Sequence, residues 1–175
     1  MEDFFEKSKK LFDTGDVSNT LDEYDKALIY INPSSKTINK SDYIKFLEKI
    51  LKHCKENQML EEEAVVLRSL GRTHSIFKHH VESLKYHEQS LRIQRELGKK
   101  KEVAEGLVFL AEDLEVSGNY ERCIQMFTDA ADLFRELGNL QKEKEAKLEI
   151  SRLKDFSEEM AEDEYIMNKF QVDNY

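Results

Sequence analysis

The chain has 175 residues, of which 36% are charged and 39% hydrophobic, and it holds only six Gly and one Pro. That is enough apolar mass for one core and too few turn residues for a sheet-rich fold. Asp and Glu number 36 against 27 Lys and Arg, a net charge of −9, so general repulsion excludes nucleic acid as an expected partner. No stretch approaches the roughly 18 apolar residues a membrane helix needs, and Glu2 and Asp3 at the start are unlike a secretory leader, so a cytoplasmic protein with no membrane association is expected. Cys54 and Cys123 lack metal-ligand spacing and fall on apolar helix faces, which makes them reduced core residues.

Taken in order, residues 2–14 carry Phe4, Phe5, Leu11 and Phe12 at helical spacing, and Gly15 with Asp16 supplies a stop and the next start. From about 17 to 31, Leu21, Tyr24, Ala27, Leu28 and Ile31 form one stripe, so the first two helices read as a hairpin over residues 1–32. Pro33 within Asn32–Ser35 then ends it, because proline cannot donate a backbone bond and restricts the residue before it. Residues 33–40 are read as a loop that acts as a hinge. Ser41 and Asp42 suit an N-cap for a third helix with Tyr43, Ile44, Leu47, Ile50, Leu51 and Cys54 on one face.

Four more helices are predicted over 60–77, 80–97, 101–117 and 120–137, with an eighth from about 140. The eighth keeps Ala146, Ile150, Leu153 and Phe156 on its apolar side among many charges, the pattern of a terminal cap with one face in water. Residues 41–156 thus read as stacked helices ending in a capping helix. The acidic tail, 157–175, reads as solvated and mobile, with a short docking segment around Tyr165, Ile166 and Phe170 as the rival reading.

Within the stack the chain repeats itself. Arg95, Glu96, Leu97 and Gly98 return 40 residues on as Arg135, Glu136, Leu137 and Gly138, and Ala64, Leu67 and Leu70 return as Ala104, Leu107 and Leu110. A fixed period of this size marks a unit that cannot bury its apolar face alone and must stack on its neighbours. The fold class is therefore all-α, with antiparallel helical hairpins stacked as an α-solenoid.

Leu107, Leu110, Ala111, Leu114, Gly118, Tyr120, Phe127 and Ala130 resemble the tetratricopeptide repeat. The preceding unit shows Leu67, Leu70, Gly71 and His74 with His80, Leu84 and His87, and Lys78 stands where the turn Gly would be. Its length, with Gly71–His74 and Tyr86–Gln89, is similar to the long 40-residue repeats of G-protein-signalling modulators. The resemblance implies a right-handed superhelix, no catalysis, no cofactor, and binding of another protein in a concave groove. It also implies that His74, His80 and His87 replace packed aromatic rings, so no metal site is expected although His79 adjoins them.

The resemblance requires helices to alternate between an inner and an outer row. The fourth and sixth match the inner type, which makes the third outer, yet the first carries an inner-type Leu11 and Gly15 pattern. Either the second helix doubles as an inner one, or the first hairpin is set apart by the loop and packs differently, with a homodimer through that hairpin as one outcome. The inner helices offer Arg68, Arg72 and Ser75, then Glu105, Val108 and Glu112, then Leu148, Arg152 and Asp155 opposite the core. The arginines are expected to fork onto a carboxylate or the backbone of a partner's peptide or helix, with Val108 and Leu148 as apolar anchors. Phe109, Glu145 and Glu149 fall where chaperone-binding members of the family need polar or basic groups, which argues against a chaperone tail. The competing reading is a structural subunit held permanently in a larger assembly.

Overall fold

The computed structural model describes residues 3–172 apart from 34, 36 and 37, with side chains as far as Glu162. Eight helices run in chain order: α1 (Phe4–Asp13), α2 (Val17–Ile29), α3 (Lys40–Glu56), α4 (Leu60–Ile76), α5 (His80–Glu96), α6 (Lys100–Val116), α7 (Tyr120–Glu136) and α8 (Leu140–Val172). No strand occurs among the described residues. Consecutive helices from α3 onward pack as antiparallel neighbours, so the chain is a helical-repeat solenoid.

The turns carry a finer period than the sequence repeat. Each of α3 to α7 has 17 residues, and left-handed backbone recurs at Gln58, Lys78, Gly98, Gly118 and Gly138, one position every 20 residues. At every one of these turns the next residue's N–H reaches the carbonyl five residues back, as in Met59 to Cys54 at 2.9 Å and Asn139 to Phe134 at 2.8 Å. That bond satisfies a carbonyl the helix end would otherwise leave open. The cap of α3 is Asn39, whose side chain accepts from Ser41 N, rather than Ser41 itself.

Two large apolar clusters form the core, with a small third one of Ala64, Leu67 and Ile93 between them. One joins α1 to α4 around Phe5, Leu21, Tyr24, Phe46, Leu47, Ile50 and Leu70; the other joins α5 to α8 around Leu91, Leu107, Leu110, Phe127 and Leu153. Small groups let the helices close. Ser83 Oγ donates to Gly71 O at 2.7 Å, and 40 residues later Cys123 Sγ donates to Ala111 O at 3.1 Å. Both cysteines are buried and unpaired, and burial pushes each thiol up to about 11.

The alternation of rows extends to the first hairpin, although α2 and α3 do not pack along each other as the other consecutive helices do. Helix α2 packs on α4 and α4 on α6, which makes α2 an inner helix and α1 an outer one. Phe5 and Phe12 of α1 meet Phe46 of the outer α3 edge-on, at 5.5 and 5.9 Å between ring centroids. The first hairpin therefore continues the stack instead of standing apart from it. At the other end, α8 does not stop near residue 156: its backbone stays helical to Val172. The segment after 156 has no Gly or Pro, and Glu and Met, both strong helix formers, recur in it.

Candidate protein-binding groove

The inner-row residues divide into two groups with different fates. On α4, the expected basic arm is already occupied. Asp25 of α2 sits 3.2 Å from Arg72 Nη1 and 3.6 Å from Arg68 Nη2, and it accepts a hydrogen bond from Ser69 Oγ at 2.9 Å. Beside it Thr73 spends its proton on the Ser69 carbonyl, so Tyr24 Oη donates to Thr73 Oγ1 at 2.9 Å. The Arg72 guanidinium also lies over the Phe109 ring, 5.0 Å from its centroid. These groups join α2, α4 and α6, and both arginines are paired within the chain.

Ser75 is likewise internal. It donates at 2.6 Å to Asp113, a buried carboxylate that also takes the Ser83 hydroxyl and lies 3.3 Å from His87 Nε2. Burial alone would raise the Asp113 pKa; bonds from His87, Ser75 and Ser83 outweigh it and hold the carboxyl below its ordinary range. Ser83 is fully buried, and its one hydroxyl proton is shared between Gly71 O and Asp113. His87 stacks on Phe109 and His74 on Tyr86, with ring planes 15° and 20° apart. Among the described residues, no three His, Cys, Asp or Glu side chains converge as a metal would need.

The second group lines open space. A trough of about 700 Å³ lies between α6 and α8 and is floored by Phe127 and Phe134 of α7. Helix α6 lends it Glu105, Val108, Phe109, Glu112 and Glu115, a face that adjoins its buried Ala104 and Ala111. Helix α8 lends Lys142, Glu145, Ala146, Leu148 and Glu149. Leu148 is 59% exposed.

Ion pairs close both ends of this trough. Lys142 Nζ reaches Glu105 at 2.6 Å, and Arg152 bridges Glu115 at 2.7 Å and Glu149 at 2.8 Å. Both inter-helix pairs span 37 residues, so α6 and α8 run parallel in one register. About 15 Å of helix separates Glu105 from Glu115, at about 1.5 Å per residue. Between the pairs stand Glu112 and Glu145, which make no direct ion pair among the described residues; Glu145 accepts from Gln141, at 2.8 Å. The walls strip water from the Glu112 carboxylate and the charge of Asp113 lies behind it, so its pKa is raised, with Arg72 acting in the opposite direction.

Of the residues expected from the sequence, the structure brings Glu105, Val108, Glu112 and Leu148 into the trough, with Arg152 at its end, and leaves Arg68, Arg72 and Ser75 outside it. Asp155 is exposed and does not line it. Sequence reasoning missed Glu115, Lys142, Phe127 and Phe134. The equal offsets from Glu105 to Lys142 and from Glu115 to Arg152 could have found the ion pairs; nothing in the sequence marks two outer-helix phenylalanines as a floor.

Fold and site together define a helical-repeat protein with an acidic, apolar-floored trough between its last two inner helices. No family model and no curated protein sequence matches the chain. Among solved structures it is similar to BtubC (BKLC) from P. vanneervenii, with a TM-score of 0.70 over 85% of this chain at 15% identity. The chain spans 61% of that chain's length, and at this identity the likeness shows the fold alone. No helix among the described residues is long and apolar enough to cross a membrane.

Proposed function

We propose that the chain is a non-catalytic, tetratricopeptide-type adaptor of the cytoplasm that holds a peptide or helix of another protein in the trough between α6 and α8. The observation that carries this reading is the exposure of Leu148 above a floor of phenylalanines, in a preformed trough pinned at both ends by ion pairs. A preformed surface costs little ordering on the adaptor side, so apolar contact there converts efficiently into affinity. Binding through the trough uses α6 and α8, and leaves Arg68 and Arg72 to hold the stack.

The test is affinity capture with wild type beside Leu148→Asp and the double variant Val108→Asp, Leu148→Asp. Leu148 is exposed, so Leu148→Asp alone should keep the helical circular-dichroism signal and melting temperature of wild type while weakening capture. Val108 also packs on the core, so the double variant is compared at a temperature where its helical signal equals that of wild type, and there it should lose its captured partners. Retention of every partner by the folded variant would overturn the reading.

A further inference from the structure

We infer that the segment held in the trough is a cationic amphipathic one, with apolar side chains on one face and lysine or arginine flanking them on both sides. This deepens the adaptor reading and rests on it. Five carboxylates and one lysine line the trough, and the lysine is already paired with Glu105. Arg152 serves Glu115 and Glu149 at the far end. What is left for an occupant is therefore one carboxylate without an ion pair on each wall, Glu112 on α6, which feels Arg72 only at longer range, and Glu145 on α8, with Val108, Phe109 and Leu148 between them. The raised pKa of Glu112 records the same frustration: a carboxylate in a narrow trough gains from an arriving cation more than one in open water does.

The apolar lining selects against a plain polycation, which would leave Leu148 and the partly exposed Val108 and Phe109 uncovered. The carboxylates select against acidic segments, because the arginines that would receive one are held by Asp25. A second copy of the chain is a poor occupant. Its net charge is −9, and Lys99 and Lys100 of its basic run are paired with Glu61 and Glu136. A helix of about ten residues matches the span of about 15 Å between the end pairs.

The test is display selection on the purified full chain, using a library of 16-residue helical peptides. Each peptide carries a fixed leucine stripe and Lys, Arg, Glu, Asp or Ser at random on the flanks. Enriched peptides are then titrated by fluorescence anisotropy against wild type, Glu112→Lys with Glu145→Lys, Val108→Asp, and Glu121→Lys as an outer-face control. The expected result is enrichment of Lys and Arg, a tenfold or greater loss of affinity in the Glu112, Glu145 double variant, little change in the control, and weakening with added salt. Enriched peptides that are acidic, or cationic ones indifferent to the double variant, would overturn the inference. If those peptides still depend on Val108, the adaptor reading stands without it. If no enriched peptide depends on Val108, both readings fall.

Discussion

At Lys78 the backbone is left-handed, with φ of 63°, in the turn where the two following units place Gly98 and Gly118 with φ of 67° and 76°. A side chain in that conformation brings Cβ too close to the following carbonyl oxygen, at a cost of about 1 kcal/mol or somewhat more. Lys78→Gly should therefore stabilise the protein by about 1 kcal/mol, read as a higher denaturation midpoint at unchanged slope. An unchanged or lower midpoint would show that the Lys78 side chain contributes contacts outweighing the strain. The same residue marks how far a sequence can be read. Three glycines at a spacing of 20 announce their turns, whereas Gln58 and Lys78 adopt the same backbone without any compositional sign of it. The period of 40 is legible from residue identity; the period of 20 belongs to the backbone. His87 shows the converse. Its place in a slot for an aromatic ring is legible, and it stacks on Phe109, but the buried Asp113 beside it is one acidic residue among 36 until the helices are assembled.

At the scale of helices, the question is what fastens α2 to α4. The contact is polar at its heart, since Tyr24, Asp25, Ser69, Arg72 and Thr73 bond to one another across the interface. Arg72→Glu would place a carboxylate about where the guanidinium now meets Asp25, and would bring it toward Glu112 on the other side. Two like charges facing across a half-buried junction repel, and Asp25 loses the nearer of its two arginines while keeping Arg68, a change of about 2 to 4 kcal/mol. The amides of α1 and α2 should then exchange with deuterium much faster, while those of α7 and the first half of α8 keep their protection. Equal protection of α1 and α2 in variant and wild type would mean that the aromatic packing of Phe5, Tyr24 and Phe46 holds the first hairpin by itself. The helices themselves were legible, because apolar stripes and turn residues set their limits within a residue or two for α4 to α7. The occupancy of Arg68 and Arg72 was not. Faces can be read from spacing, but the partner of a charge on one helix depends on which helix comes to lie beside it. Here that neighbour sits more than 40 residues earlier, at Asp25.

Across the whole molecule, the division of the core decides how a local defect spreads. Leu110 and Leu153 belong to the cluster of α5 to α8, and Phe5, Tyr24 and Leu47 to that of α1 to α4. Between them lie only Ala64, Leu67 and Ile93 with a few partly buried neighbours, and the polar group around Asp113. In a linear stack each unit touches its neighbours alone, so stability is a sum of units and interfaces instead of a property of one common core. Leu110→Ala removes a side chain that is 2% exposed and should cost about 2 to 5 kcal/mol through the cavity it leaves. Native-state hydrogen exchange should find that loss in α6, α7 and the buried half of α8, with a markedly smaller one in α1 to α3. The trough lies within the weakened unit, so peptide affinity should fall in step with exchange in α6, although Leu110 faces away from the trough. An equal loss of protection from α1 through α8 would mean that the small middle cluster and the Asp113 group couple the two halves into one cooperative unit. The acidic trough would then be supported by the entire stack and not by its last three helices.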